Sequence, residues 1–388
     1  MRFFNSMDIE KLKGIFHILP EFFDRDNNKE VLSYTLGATL YTPATKVNLI
    51  KSVQKYGELM SSVICLEDSI GDNEVEMAET YLVDQFMKLY DMVISEQIEY
   101  QDIPLLFIRV RNKEQMNRLI DNLDGAYKLI TGFVFPKFNK KNGHDYFNAL
   151  RDLNKRMNKT YYSMPILESE DIMFKDLRSS NLENIREIFE LNKDLVLNIR
   201  IGAADFCRQF GIRRNYNSSI YDISVVNDCI SDIINYFSRQ NNFIISGPVW
   251  EYYNNMENEL DYIDLMAEHN LNDNHYSSKS KLNLIDAYTL GLIKETIKDK
   301  ENGLLGKTII HPSQISPVQS VYIVSYEEYM DAVDIIENST GNIGVLKSIK
   351  TNKMNEVKTH YNWAKKVINR AKFYGVYNDK QKRSNLLA

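Results

Sequence analysis

The sequence predicts an α/β protein built as a (β/α)8 barrel of the TIM type with a helical extension at its C-terminal end. Two observations carry that expectation. Eight short apolar runs rich in β-branched and aromatic residues recur along the chain, at 36–43, 62–68, 104–110, 132–138, 161–169, 195–205, 242–250 and 306–312. Between them lie longer segments such as 73–97 and 225–240, whose apolar residues return every three or four positions, the period of a helix. Near-continuous apolar strands separated by crossover helices belong to a parallel sheet covered by helices, and eight such units close naturally into a barrel. A doubly wound open sheet is the alternative, but no glycine-rich dinucleotide fingerprint follows the first run.

Taken in order, the runs share a feature at their C-terminal ends. The second, SVICLED, ends in Glu67 and Asp68; the third, PLLFIRV, carries Arg109; the fourth, GFVFPKF, carries Lys137. The fifth, YYSMPILES, carries Glu168, the sixth, LVLNIRIGAAD, ends in Asp205, and the eighth, GKTIIHP, ends near His311. The seventh, NFIISGPVW, is followed by a long polar stretch, 251–285, which reads as an insertion over the barrel's upper face. The barrel is assigned to 1–340 and a basic extension to 341–388. From Val345 onward eleven Lys and Arg face only two acids, Glu356 and Asp379, so the rest of the chain is markedly acidic.

A barrel interior is filled with apolar side chains, so charges at the C-terminal strand ends mark the active face. Glu168 and Asp205, on successive strands, can converge on one point and supply hard oxygen ligands, which suits Mg2+. Glu67 or Asp68 could hold the metal's waters. The Arg109 guanidinium fork matches a carboxylate, and Lys137 adds a compact positive charge. A metal beside an arginine would bind a 2-oxo acid and stabilise the enolate left when a neighbouring carbon–carbon bond breaks. The structural alternative pairs Glu168 and Asp205 with Arg109 and Lys137 in a buried ion network. Spacing alone leaves both open.

Composition narrows the function classes. A net charge of −6 argues against a dedicated nucleic-acid binder, which needs a basic surface to displace counterions. Cys65, Cys207 and Cys229 lack metal-ligand spacing, which fits a reducing cytoplasm. No uninterrupted apolar run approaches the roughly 20 residues of a membrane span, so a cytosolic protein without an anchor is expected. His311 reads as a loop-fixing residue rather than a base, and Arg213 and Arg214 as either a phosphate contact or a solvated turn.

Seven motifs fall at these strand ends: LYTPA (40–44), ICLEDSIGD (64–72), FIRVRN (107–112), FVFPK (133–137), MPILES (164–169), IRIGAADF (199–206) and GLLGKTIIHPSQI (303–315). In this order they resemble the HpcH/HpaI aldolase and citrate lyase beta-subunit family. The pattern is most similar to a divergent branch, the carbon–carbon bond lyases that accompany bacterial tellurium-resistance stress operons. The resemblance implies a Mg2+-dependent lyase or synthase in which Glu168 and Asp205 match the metal ligands and Arg109 the substrate-binding arginine, with Glu67 and Asp68 as the acidic pair beside the metal. It also implies a small carboxylate or coenzyme A thioester substrate. Residues 341–368 resemble the family's C-terminal extension, which packs on a neighbouring subunit of a homo-oligomer, a trimer or a multiple of one. There Glu356 takes the place of an acid–base aspartate acting in the neighbour's site. Two positions depart from the family pattern, Gly37 and Arg111, where an arginine and an asparagine are usual. Two other functions remain open on this scaffold: hydrolysis of an acyl thioester by water that Glu356 activates, and a non-catalytic binding component of a stress operon.

Overall fold

A computed structural model describes residues 1–253, 287–340, 344–350 and 353–379. From residue 254 on, the expected insertion lies outside the described residues. Eight parallel strands make one sheet: β1 (Ala38–Pro43), β2 (Ser61–Cys65), β3 (Leu105–Arg109), β4 (Ile130–Phe135), β5 (Tyr162–Leu167), β6 (Ile199–Ile201), β7 (Ile245–Ser246) and β8 (Lys307–Ile309). Strands β1 to β7 pair in sequence order and β8 pairs with β1. The ring closes between β7 and β8 through a single bridge, Gly247 to Lys307. Backbone hydrogen bonds from Leu305 to Ile245 (2.9 Å) and from Thr308 to Gly247 (3.1 Å) flank it.

The two-residue period of a strand separates the barrel's two faces. Val63, Phe107, Val134 and Met164 meet inside the barrel. Their neighbours Ile64, Ile108, Phe133 and Leu167 pack outward against the helices. Those helices follow the strands in turn as α1 (Leu49–Lys55), α2 (Val75–Ile94), α3 (Lys113–Asp121), α4 (Lys140–Met157), α5 (Lys175–Leu191), α6 (Ser224–Phe237), α7 (Ala287–Glu301) and α8 (Ile315–Tyr322). In α2 the buried positions Ala78, Leu82, Phe86 and Leu89 show the spacing that predicts it. Asn112 and Asn139 start α3 and α4 by accepting hydrogen bonds from the backbone N–H groups of Gln115 and Asn142.

Strands β6 and β7 are shorter than their apolar runs. At Gly202 the chain leaves β6 and turns into a short helix, Ala203–Gln209, so Asp205 sits in a helical first turn instead of ending a strand. The apolar residues of these runs beyond the strands are buried elsewhere, Ala203 against the helices and Trp250 against α7 and α8.

The expected extension packs on its own barrel. Helix α9 (Tyr326–Glu337) and helix α10 (Val357–Tyr374) form a pair around Ala332, Ile335, Val357, Ala364 and Val367, so the boundary expected at 340 falls between two packed helices. Beyond α10, Val376–Tyr377 pairs antiparallel with Phe16–Ile18, and Tyr374 stacks on Phe3 with ring centroids 4.3 Å apart. No helix among the described residues is long and apolar enough to cross a membrane.

Behind the β7–β8 closure lies a buried ion cluster. Fully buried Lys307 donates to Glu295 Oε1 (3.0 Å) and Asp299 Oδ2 (2.7 Å), both on α7. Arg214, held over the Trp250 ring, also pairs with Glu295, and it donates to Glu251 (2.7 Å) and to the Val249 carbonyl (2.8 Å). Of the two roles open for Arg214, a phosphate contact or a solvated turn, the structure supports neither: this is a buried clamp. Gly247 makes room for the cluster, since a Cβ there would lie 2.3 Å from Asp299 Oδ2. Removing one partner of a buried pair strands the others in low dielectric. Lys307→Met is therefore expected to cost about 3–5 kcal/mol in urea unfolding.

Candidate active site

The C-terminal strand ends surround a cavity of about 440 Å³, a volume ordinary for a small-molecule site. Tyr41, Asp68, Arg109, Glu168, Arg200 and Asp205 contribute to its wall. Strand ends β2, β3 and β5 bring Glu67, Asp68, Arg109 and Glu168 into direct contact. Arg109 Nη2 donates to Asp68 Oδ2 (2.8 Å) and Glu168 Oε1 (3.1 Å) and forms an ion pair with Glu67 Oε2 (2.5 Å). Lys137 joins from the turn after β4. Its backbone is left-handed (φ 47°), which aims its N–H at Glu168 Oε1 (2.9 Å), while its ammonium donates to Asp68 Oδ1 (2.8 Å) and to Glu67. A non-glycine residue held at positive φ is a local strain of the kind that gathers at functional sites.

Asp68, Glu168 and Asp205 each offer a carboxylate oxygen, and these oxygens lie within 4.8 Å of one another. Three converging hard oxygen donors are a fitting set for a divalent cation of the magnesium type. The neighbouring chain makes space for them: a Cβ on Gly202 would lie 2.3 Å from Glu168 Oε2. Among the described residues Asp205 pairs with Arg208, at 3.2 Å on its own helix.

The electrostatics follow from crowding. Burial pushes the Glu168 carboxyl up to about 8; Arg109 and the Lys137 N–H pull it down, and Asp205 pushes it further up. Burial would also raise Asp68, but hydrogen bonding with Glu67 and Lys137 and the charge of Arg109 overcome it and hold Asp68 at about 2. Burial works against the Arg109 charge, and Glu168, foremost among its neighbours, raises its pKa despite that. Two adjacent carboxylates thus differ in proton affinity because one is enclosed and the other is held by cations.

Among the residues singled out from sequence, Glu67, Asp68, Arg109, Lys137, Glu168 and Asp205 meet in one place. Glu356 does not join them within its own chain. It opens α10, accepts from Thr359 Oγ1 (2.9 Å), and follows Lys353 in a hairpin beside a second cavity. That cavity, of about 650 Å³, lies at the N-terminal ends of β7 and β8, where Phe243, Leu304 and Leu305 line it. Arg111, the departure from the family's asparagine, clamps the β2–α2 loop by donating to the carbonyls of Leu66 (2.8 Å) and Ile70 (2.9 Å) and to Asp72 (2.6 Å). At the other departure, Gly37, a Cβ would lie 2.8 Å from the Phe3 ring, so Phe3 occupies the space a larger residue would need. His311 has the loop-fixing place expected of it, accepting from the Ser313 N–H (3.3 Å) and stacking on Tyr253 with centroids 4.4 Å apart.

Sequence reasoning missed Arg200. It lies between Ile199 and Ile201, which face the helices, so the strand period turns it into the barrel. That alternation was its available signal.

A barrel with a charged cavity at the C-terminal ends of its strands has the layout of an enzyme. The sequence profile of the C–C bond lyases of the TIM-barrel fold matches residues 30–376, and the chain belongs to that family. In fold it is similar to the CitE protein of Mycobacterium tuberculosis, whose structure contains magnesium, acetoacetate and coenzyme A. The two are 16% identical with a TM-score of 0.53 over 87% of this chain and 99% of that one. It is also similar to a citrate lyase from Burkholderia xenovorans LB400, with 13% identity and a TM-score of 0.60 over 91% of this chain and 96% of that one. No curated protein matches the sequence.

Two outcomes test this geometry. Gly202→Ala is expected to displace the Glu168 carboxylate and abolish divalent-cation binding in calorimetry while circular dichroism shows an intact fold. Glu168 keeps its proton in the folded protein up to about 8, against an ordinary value of 4.5, so between these pH values the native state binds more protons than the unfolded one. Its contribution to stability in metal-free protein is expected to be lost as pH rises through that window. Glu168→Gln should flatten this part of the pH dependence of urea unfolding.

Proposed function

We propose that this chain is a Mg2+-dependent carbon–carbon bond lyase, or synthase in the reverse direction, acting through an enolate on a 2-oxo or hydroxy acid. The observation that carries the proposal is the convergence of Asp68, Glu168 and Asp205 beside Arg109. Glu168 and Asp205, with Asp68 beside them, hold the metal. The magnesium in the M. tuberculosis structure supports this choice of ion. When bound, Mg2+ supplies Lewis-acid polarisation of substrate oxygens and charge stabilisation.

The chain's own residues do the rest. Arg109, shared among three carboxylates, would present its planar fork to the substrate carboxylate. Lys137 anchors Glu67 and Asp68 and adds positive charge where the oxyanion develops. In the cleavage direction a carboxylate takes the hydroxyl proton, the hydroxyl carbon becomes a carbonyl, and the carbon–carbon bond breaks. The electron pair stays on the other fragment as an enolate, which is then protonated. Glu67 and Asp68 are the acid–base groups nearest this chemistry. Glu356, apart from the cavity in its own chain, completes the site of a neighbouring copy, which requires a homo-oligomer.

Glu168→Gln and Asp205→Asn are each expected to weaken Mg2+ binding by about tenfold to a hundredfold or more in calorimetry, with the fold retained. Unchanged affinity in both would remove the metal assignment. Incubation with 3-hydroxyacyl thioesters and Mg2+ should yield a new carbonyl fragment. Free thiol with an intact hydroxy acid would instead identify a thioesterase.

A further inference from the structure

Arg200 is the charge that the proposed chemistry leaves unused. It is 1% exposed, yet it lines the active cavity. Its guanidinium donates to Thr308 Oγ1 (2.7 Å) and Thr39 Oγ1 (3.3 Å), lies 3.9 Å from Met164 Sδ, and covers the Tyr41 ring with 5.4 Å to the centroid. Its Nε is buried without a hydrogen-bond partner. It forms no ion pair with a carboxylate among the described residues, and its surroundings are hydroxyls, a thioether and a phenol. Arg109, by contrast, is shared among three acids. An uncompensated guanidinium in low dielectric is costly, and an anion is what relieves it.

The surroundings keep the place open to such an anion. On the β2 to β5 side the barrel interior holds Val63, Phe107, Val134 and Met164, with the Ser61 hydroxyl donating to Thr39 Oγ1 (2.9 Å). Around Arg200, Thr39 and Thr308 place hydroxyls on the inner face. Tyr41, whose ring lies under the Arg200 guanidinium, lines the same cavity as Arg109 and Glu168. Arg109 and Arg200 both line this cavity, so a ligand bound in it meets two arginines.

We propose that Arg200 binds a second carboxylate of the substrate, so that the site selects a dianionic oxo acid, one carboxylate at Arg109 and the other at Arg200. This rests on the reading of the rim as the site for Mg2+ and a 2-oxo acid, and it adds the substrate class. A charge-assisted, forked contact in an enclosed site gives discrimination against a ligand lacking the distal carboxylate.

The test measures, by calorimetry in the presence of Mg2+, binding of 2-oxosuccinate, 2-oxoglutarate and 2-oxoadipate. Each is compared with the oxo acid of matching length that ends in a methyl group. The full chain should prefer the dianion by about tenfold or more at one chain length. Arg200→Met, which fills similar space without charge, should bring that preference to about one while binding the methyl-ended acid as before. Arg200→Lys should keep part of it. Absence of preference in the unaltered protein, or its survival in Arg200→Met, overturns the role of Arg200, and Mg2+-dependent binding of both series would leave the rim reading standing. Failure of both series to bind with Mg2+ overturns both readings.

Discussion

The barrel depends on how its thinnest joint is held. Between β7 and β8 the sheet has one bridge and a few backbone hydrogen bonds, too little to fix two strands of two and three residues. The buried cluster of Lys307, Glu295 and Asp299 ties β8 to α7, and Arg214 extends it to Glu251 and Val249. Val249 lines the active cavity. Charge pairing outside the sheet thus sets the position of a wall inside it. Buried ion pairs add little net stability, but they tolerate few alternative geometries. On the other side of β8, its ladder with β1 pairs Thr308 with Thr39, and both reach the same guanidinium.

The active rim shows the opposite economy. Glu67, Asp68, Glu168 and Asp205 crowd around Arg109 and Lys137, and one consequence is a carboxyl that holds its proton to about 8. A fold chosen for stability alone would not enclose Glu168 beside Asp205. Such crowding is the usual signature of groups placed for chemistry. The glycine at 202, needed so that the chain can pass the Glu168 carboxylate, shows the backbone yielding to the same demand.

Much of this was legible in the sequence because strands buried on both faces announce themselves by composition. The rim acids and Arg109 stood out because each broke an apolar run near its end. The limits of β6 and β7 were not legible: Ala203 and Trp250 prolong the apolar runs although they serve other layers. Asp205 was accordingly expected on a strand and lies on a helix. Arg200 escaped notice because one charge in an apolar run counts little in a composition, and only its face gives it meaning. The layer formed by Phe3, Phe4 and Phe16 was invisible for a different reason, since its partners Phe373, Tyr374 and Tyr377 lie at the far end of the described chain.

That last layer bears on the order of assembly. Asn378 hydrogen-bonds to the Lys13 carbonyl across 365 residues, and the Phe16–Ile18 and Val376–Tyr377 ribbon is just as non-local. Contacts of such separation are slow to form and give nothing until the intervening chain exists. During synthesis, which proceeds from the N-terminal end, Phe3, Phe4 and Phe16 have one another and Phe23 for partners but lack Phe373 and Tyr374 until α10 emerges. The strand–helix units can form one after another meanwhile, while the aromatic layer joining the two ends is among the last pieces to settle.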